Sequence, residues 1–390
     1  MDANEAKRVI ESLRYGLPPD GHICDFTVGR QNEIADLRSQ LDDNGSKVLL
    51  LNANYGAGKT HLLRFIREEA LRKGWMVSVV SIDSKSGVRF DQLSQIVGAV
   101  CRCIEIPDRA GKGVRCLLDG FVDSAMNKSL SDEVWPELHH DGKWDQKRFF
   151  ETEAFYLGMR AWFFCDPQIG DCIVNWYENP HMNSDGRPTH LWKLLVDGMR
   201  RFYRDARPKD YFTSERLYLT RNDDLCWAFL RDLHSAAKAM GFRGFVLCLD
   251  EFEDILYNLT RIDAKKKAFW NLFELFHGHQ YKAHAYFAVT PGFAQKCKHE
   301  LARKGEYDYD FSQFDELRQF EMTPIERDDI EALCERIVEA HSVAFSWKPP
   351  ASCRSAVSKV IERFSNDTSQ DRVRQCVRHI VQELDRSLDA

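Results

Sequence analysis

Apolar positions along the chain fall into two periods, and the alternation between them outlines the molecule. Residues 4–15 carry Ala6, Val9, Ile10 and Leu13 at helical spacing, and Gly16-Leu17-Pro18-Pro19 stops that helix. A second amphipathic helix follows Gly29-Arg30 through Ile34, Leu37 and Leu41. Residues 47–51 form a continuous apolar run of the kind that fits a strand buried on both faces, and residues 75–83 form another. Between them lie a glycine-rich turn at 52–58 and a helical stretch from Lys59 through Leu63, Ile66 and Ala70. Strand, helix and strand in that order make a parallel crossover unit. The strand pattern resumes at 244–249 and again at 285–289, and beyond 320–324 the chain reads as helix, at 328–340, 351–364 and 370–388.

The intervening residues 105–221 show aromatic-rich helical stretches broken by clusters such as those at 178–180 and 183–186. The expected architecture is therefore α/β, a parallel sheet flanked by helices. Residues 1–104 and 222–324 would supply two halves of one core, 105–221 a helical insertion, and 325–390 a small helical lid. With 390 residues, 44% hydrophobic and 29% charged, the chain is long enough for such a multi-lobed globular protein. No apolar run of about 18 residues predicts a membrane span. The polar, acidic start is unlike a signal peptide, so a cytoplasmic protein is expected.

A net charge of −6 argues against a surface that is a nucleic-acid footprint throughout, while leaving room for a local basic groove. Twelve cysteines are scattered with no Cys-x-x-Cys pair, and are read as buried free thiols. Cys101 and Cys103 lack the further ligands a zinc site needs. The adjacent His139-His140 cannot share one helix face as zinc ligands do. Lys265-Lys266-Lys267 reads as a solvated helix face. Trp144, Phe149, Phe150, Phe155, Tyr156, Trp162, Phe163 and Phe164 are expected to fill the insertion's core or a partner interface rather than stack on bases.

The candidate chemistry begins at Ala53-Asn54-Tyr55-Gly56-Ala57-Gly58-Lys59-Thr60, between an apolar strand and its helix. This is a P-loop, in which backbone N–H groups and a helix N-terminus converge on an anion. In that pattern Lys59 reaches the β- and γ-phosphates of ATP and the Thr60 hydroxyl ligates Mg²⁺. The first position, usually glycine, is Ala53, so the turn must begin in a conformation that tolerates a Cβ. The apolar strand at 245–249 ends in Asp250-Glu251, at the edge where parallel sheets bind ligands. Asp250 would hold Mg²⁺ through a water, and Glu251 would polarise the attacking water.

The stretch Phe26 to Ile34, containing Val28-Gly29-Arg30, resembles the nucleotide-binding entry motif of AAA+ ATPases related to the origin-recognition group. Together with residues 8–19, the P-loop through His61 to Arg64, and Gly241 to Glu253, it resembles the ATP-binding protein of bacteriophage exclusion (BREX) systems. The resemblance covers roughly 5–100 and 222–385. It implies an ASCE-type sheet, a helical lid, and an ATPase in an anti-phage or DNA-processing assembly. Thr290 matches a sensor-1 position. Arg318, with Arg303 as rival, matches an arginine finger for a neighbouring subunit's ATP, and Arg372, with Arg374 as rival, matches the sensor-2 arginine of the lid.

The expected function is an ATP- and Mg²⁺-dependent AAA+ ATPase, a homo-oligomer or part of a hetero-assembly of defence proteins. The alternative is a weakly hydrolysing, nucleotide-gated switch that recruits a DNA-acting partner. Contact with DNA is allowed by both.

Overall fold

The computed structural model describes residues 1–43, 45–127, 129–130, 149–164, 167–179, 197, 222–282, 284–365, 367, 369 and 371–389. His139, His140, Trp144 and the break at 183–186 lie outside the described residues.

Six strands make one sheet: β1 (Val48–Asn52), β2 (Met76–Ser81), β3 (Ile104–Glu105), β4 (Phe245–Asp250), β5 (His284–Val289) and β6 (Gln319–Glu321), in the order β3-β2-β4-β5-β1-β6. All neighbours are parallel except β3, which runs antiparallel to β2. The four expected strands are present. β6 and β3 were not expected, because two- and three-residue strands with polar edge positions carry no periodic signal. The order sets β5 between β1 and β4, so the C-terminal ends of β1 and β4 are about 10 Å apart on one edge.

Both faces of the sheet are covered. Along β4, Val246 and Cys248 point to one core while Phe245, Leu247 and Leu249 point to the other, which is why the strand reads as an unbroken apolar run. Along the chain the helices are α1 (Ala3–Arg14), α2 (Gln31–Asp42), α3 (Lys59–Arg72), α4 (Leu93–Cys103), α5 (Val114–Met126), α6 (Glu153–Phe164), α7 (Pro167–Glu178) and α8 (Asp223–Ala239). After them come α9 (Ile255–Asn258), α10 (Ile262–His277), α11 (Phe293–Arg303), α12 (Arg327–Phe345), α13 (Ala351–Ser365) and α14 (Arg372–Leu388). Leu62, Phe65 and Ile66 of α3, with Leu37 and Leu41 of α2, fill one face. The opposite core joins α4, α8 and α10 to α5, α6 and α7, so the described helices of 105–221 share the sheet's core. Phe150, Phe155 and Tyr156 are buried in it. Asp232 on α8 anchors that region by accepting from Glu151 N, Thr152 N and Thr152 Oγ1 at 2.6–2.8 Å.

A third core draws α1 together with α12, α13 and α14, and within it the first helix packs directly on α12 and α14. A capping box between Asp2 and Glu5 starts α1. At its other end Arg14 donates to Asp385 through Nε at 2.8 Å and Nη2 at 2.9 Å. His341 Nε2 also meets Asp385, at 3.0 Å, while its Nδ1 accepts from Trp347 Nε1 at 2.8 Å.

Two expectations are corrected. Lys265-Lys266-Lys267 is a solvated face only in part: Lys267 is exposed and paired with Asp223 and Lys266 is half-buried against Glu306, but Lys265 is buried against Glu300 because it lies on the side of α10 that meets α11. The described cysteines are all unbridged, but Cys24, Cys103 and Cys172 are half-buried rather than buried. No helix among the described residues is long and apolar enough to cross a membrane.

Candidate functional site

The P-loop leaves the C-terminal end of β1. Ala53 extends the strand by donating its N–H to Val289 O at 3.3 Å, and no positive φ is imposed on it, so alanine serves where the pattern has glycine. The turn closes with Ala57 N donating to Asn54 O at 3.2 Å, and the chain then needs left-handed backbone at Gly56 (φ +72°) and Gly58 (φ +90°). Gly58 caps α3, whose first-turn N–H groups face the cleft.

Lys59 folds back over this loop. Its Nζ donates to Ala53 O at 3.0 Å and Asn54 O at 3.5 Å, and the nearest carboxylate, Glu253 Oε1, lies 3.7 Å away. Burial lowers the pKa of Lys59, with Glu253 and Asp250 pulling the other way. Thr60, Asn54, Tyr55 and Gly56 are exposed on the loop.

Across the cleft, Asp250 closes β4 and accepts from Glu251 N through Oδ1 at 3.0 Å. Glu251 sits in the left-handed region at φ +54°, a conformation that costs a non-glycine residue on the order of 1–3 kcal/mol and that clusters at working sites. Burial, followed by the charges of Asp250, Asp83 and Asp254, raises its pKa. Glu253 is a site residue that the sequence pattern does not single out. It is buried, its pKa is raised by burial against the pull of Lys59, and its Oε2 has no partner among the described residues. Its only signal was the second carboxylate at a two-residue step, which a 3-10 turn at Phe252–Asp254 swings back toward Lys59.

The loop's outer flank is built by the Val28-Gly29-Arg30 segment. Buried Arg30 donates to Ala57 O, and burial lowers its pKa against the fields of Glu33 and Asp329. His61 stands beside it. Since the Thr27 hydroxyl donates to Ile23 O at 2.7 Å, the 2.8 Å contact of Thr27 Oγ1 with His61 Nε2 makes Nε2 the protonated nitrogen. Burial and the neighbouring Arg30 and Arg64 hold the ring neutral, with its pKa down to about 4. Gly29 packs at φ +66° against Asp329, where a Cβ would lie 2.2 Å from the carboxyl carbon; it admits the start of α12 rather than lining the cleft.

These pieces enclose a cleft of about 340 Å³. Tyr55 through His61, Asp250, Glu251 and Glu253 supply polar lining, and Leu17, Pro18, Phe26, Val28, Ile325 and Val373 apolar lining. Thr60 and Asp250 thus share one wall system, which suits a Mg²⁺ held chiefly by water and phosphate oxygens. No group of three or more His, Cys, Asp or Glu poised for a metal exists among the described residues.

The remaining predicted residues divide. Arg374 lines the cleft, lying over Gly16, where a Cβ would come within 2.4 Å of its Cγ. Arg372 does not line it; that side chain donates to Ile325 O instead. Thr290 follows β5 and accepts from Lys296 Nζ at 3.0 Å, just outside the cleft. Arg318 is exposed where β6 begins, at the opposite edge of the sheet from the P-loop, and Arg303 is exposed at the end of α11 and paired with Glu300. Neither arginine reaches this cleft.

A model of the family described as BREX system ATP-binding protein BrxC/D matches residues 1–148 and 219–389. The match runs through part of the stretch that the motifs alone left unassigned. No curated protein and no solved structure matches the chain.

Proposed function

This chain belongs to the family of BREX system ATP-binding proteins BrxC/D, and from that premise we propose that it is an AAA+ ATPase that hydrolyses ATP within an anti-phage defence assembly. One observation carries the proposal: Lys59, Thr60, Asp250 and Glu251, from distant parts of the chain, line a single cleft. The strand order, with β5 between the P-loop strand and the acidic strand, supports the ASCE-type sheet that the resemblance implies.

In this reading the loop N–H groups and the positive end of α3 receive the β- and γ-phosphates. Lys59 exchanges the carbonyls of Ala53 and Asn54 for phosphate oxygens. Thr60, and Asp250 through a water, would hold Mg²⁺, which would supply neutralisation of the phosphate charge. Glu251, kept from easy ionisation by burial and its acidic neighbours, takes the attacking water's proton. The apolar lining, Phe26 and Val373 among it, would receive the base. Arg374, from α14, is the lid arginine that meets the phosphates, in preference to Arg372. Thr290 holds the γ-phosphate side, with Lys296 behind it. A finger from Arg318 or Arg303 can act only on another copy's nucleotide, so the active form is an oligomer. The helices α12 to α14 form the lid, whose contacts with the cleft change with nucleotide state.

The test is Glu251→Gln. It should bind ATP as the wild type does while turnover stops; equal ATPase rates for the two proteins would remove Glu251 from the mechanism.

A further inference from the structure

A larger hollow, about 720 Å³, opens between residues 256–260 and α11 and shares no lining residue with the nucleotide cleft. Its lining holds four cationic side chains, Lys265, Lys296, Arg303 and Lys304, against one carboxylate, Glu300. On a chain of net charge −6 this is a local inversion of sign. Lys265 is buried and spent on Glu300, exposed Arg303 bonds the same carboxylate at 2.8 Å, and exposed Lys296 donates to Thr290 Oγ1 at 3.0 Å, contacts that incoming phosphates would share or displace. Lys296, His299 and Arg303 recur at helical spacing on one exposed stripe of α11, and Lys304 continues it. His299 and Lys304 form no ion pair among the described residues. On the facing wall stands Tyr257, 71% exposed.

The shape of this set selects its ligand. From Lys296 to Lys304 the stripe runs roughly 12 Å, whereas a small anion would need donors converging on one point. At ~3.4 Å of axis per phosphate on one strand, that length meets about three or four phosphates. An exposed aromatic ring beside cations that track a backbone is the pairing that single strands use, since every base has a face to stack. A duplex would offer Tyr257 no free base. No side chain is aimed to read base edges, so the binding should be indifferent to sequence.

We propose that this groove binds single-stranded nucleic acid, with phosphates along Lys296, His299, Arg303 and Lys304 and a base stacked on Tyr257. The groove shares no lining residue with the nucleotide cleft, although Lys296 also donates to Thr290 and Arg303 is one of the two finger candidates.

The test is fluorescence anisotropy of a labelled thymidine 20-mer with the full chain, with inorganic polyphosphate as competitor. Affinity should fall about 20-fold between 50 and 200 mM salt, as for three phosphates on a single strand. Lys304→Glu together with His299→Ala should weaken the oligonucleotide about tenfold. Tyr257→Ala should weaken it about as much while leaving polyphosphate binding unchanged. Both variants should keep wild-type affinity for a non-hydrolysed ATP analogue, which also reports that they fold. Should Lys304→Glu unfold the chain, Lys304→Gln carries the same test with a smaller loss. The proposal is overturned if the oligonucleotide does not bind or binds the variants undiminished. It is equally overturned if polyphosphate is held as tightly as the oligonucleotide and Tyr257→Ala weakens both alike, which would make this a simple anion site.

Discussion

Lys59 and Lys265 are buried to nearly the same degree, at 8% and 4% exposure, in regions that are built differently. Lys265, on α10, meets Glu300 of α11 at 2.7 Å, and Arg303 closes on the same carboxylate at 2.8 Å. Its charge is matched, and the pair ties two helices together. Lys59 meets two main-chain carbonyls and has its nearest carboxylate at 3.7 Å, one oxygen of which has no partner among the described residues. Around it the backbone is strained at Glu251, and carboxylates crowd one another. A buried cation with a close, shared partner is a fastening, whereas one left with displaceable partners retains its capacity for an incoming anion.

The contrast can be broken most sharply at Lys59. Lys59→Ala should weaken ATP binding more than about 100-fold in a calorimetric titration, since charge-assisted contacts to two phosphates are lost, each worth ~1.5–3 kcal/mol. Its unfolding midpoint without nucleotide should not fall. Lys265→Ala should do the reverse, lowering stability by about 3 kcal/mol in urea at constant m while ATP affinity stays put. Retention of Arg303 on Glu300 sets that figure at the low end for a broken buried pair.

His61 extends the contrast to pH. Burial holds it neutral down to about pH 4 in the folded chain, while an unperturbed histidine takes its proton near 6.5. Between those values the unfolded chain binds a proton that the folded chain refuses. Its contribution is therefore intact above about pH 6.5 and is lost as pH falls toward 4, on the order of 3 kcal/mol. Urea midpoints of His61→Gln should fall less steeply than those of the wild type across this window. The smallest effect is expected at Glu253. Glu253→Gln removes the carboxylate that faces Lys59, so ATP should bind about fivefold tighter, ~1 kcal/mol; weaker binding would show that the carboxylate works with the nucleotide instead.

Much of the cleft was legible in the sequence because the P-loop and the Asp250-Glu251 strand are local patterns, and a local pattern fixes which edge of a parallel sheet its residues occupy. What was hidden depends on tertiary placement. Periodicity shows that residues 4–15 are helical but not that α1 packs with α12 and α14. It shows two arginines at 372 and 374 but not the helix phase that turns Arg374 to the cleft and Arg372 to a carbonyl. Lys265 looked solvated because a run of three lysines carries no sign of the carboxylates that other helices bring to meet it. β6 is too short and too polar to announce itself, yet it completes the sheet beside β1.

The most direct test titrates ATP with Mg²⁺ into wild type, Lys59→Ala and Lys265→Ala side by side, with an unfolding curve for each. Saturable binding to the wild type and to Lys265→Ala, and none to a natively stable Lys59→Ala, is the predicted result. Undiminished binding to Lys59→Ala, or its loss in a still-folded Lys265→Ala, would contradict the assignment of the cleft.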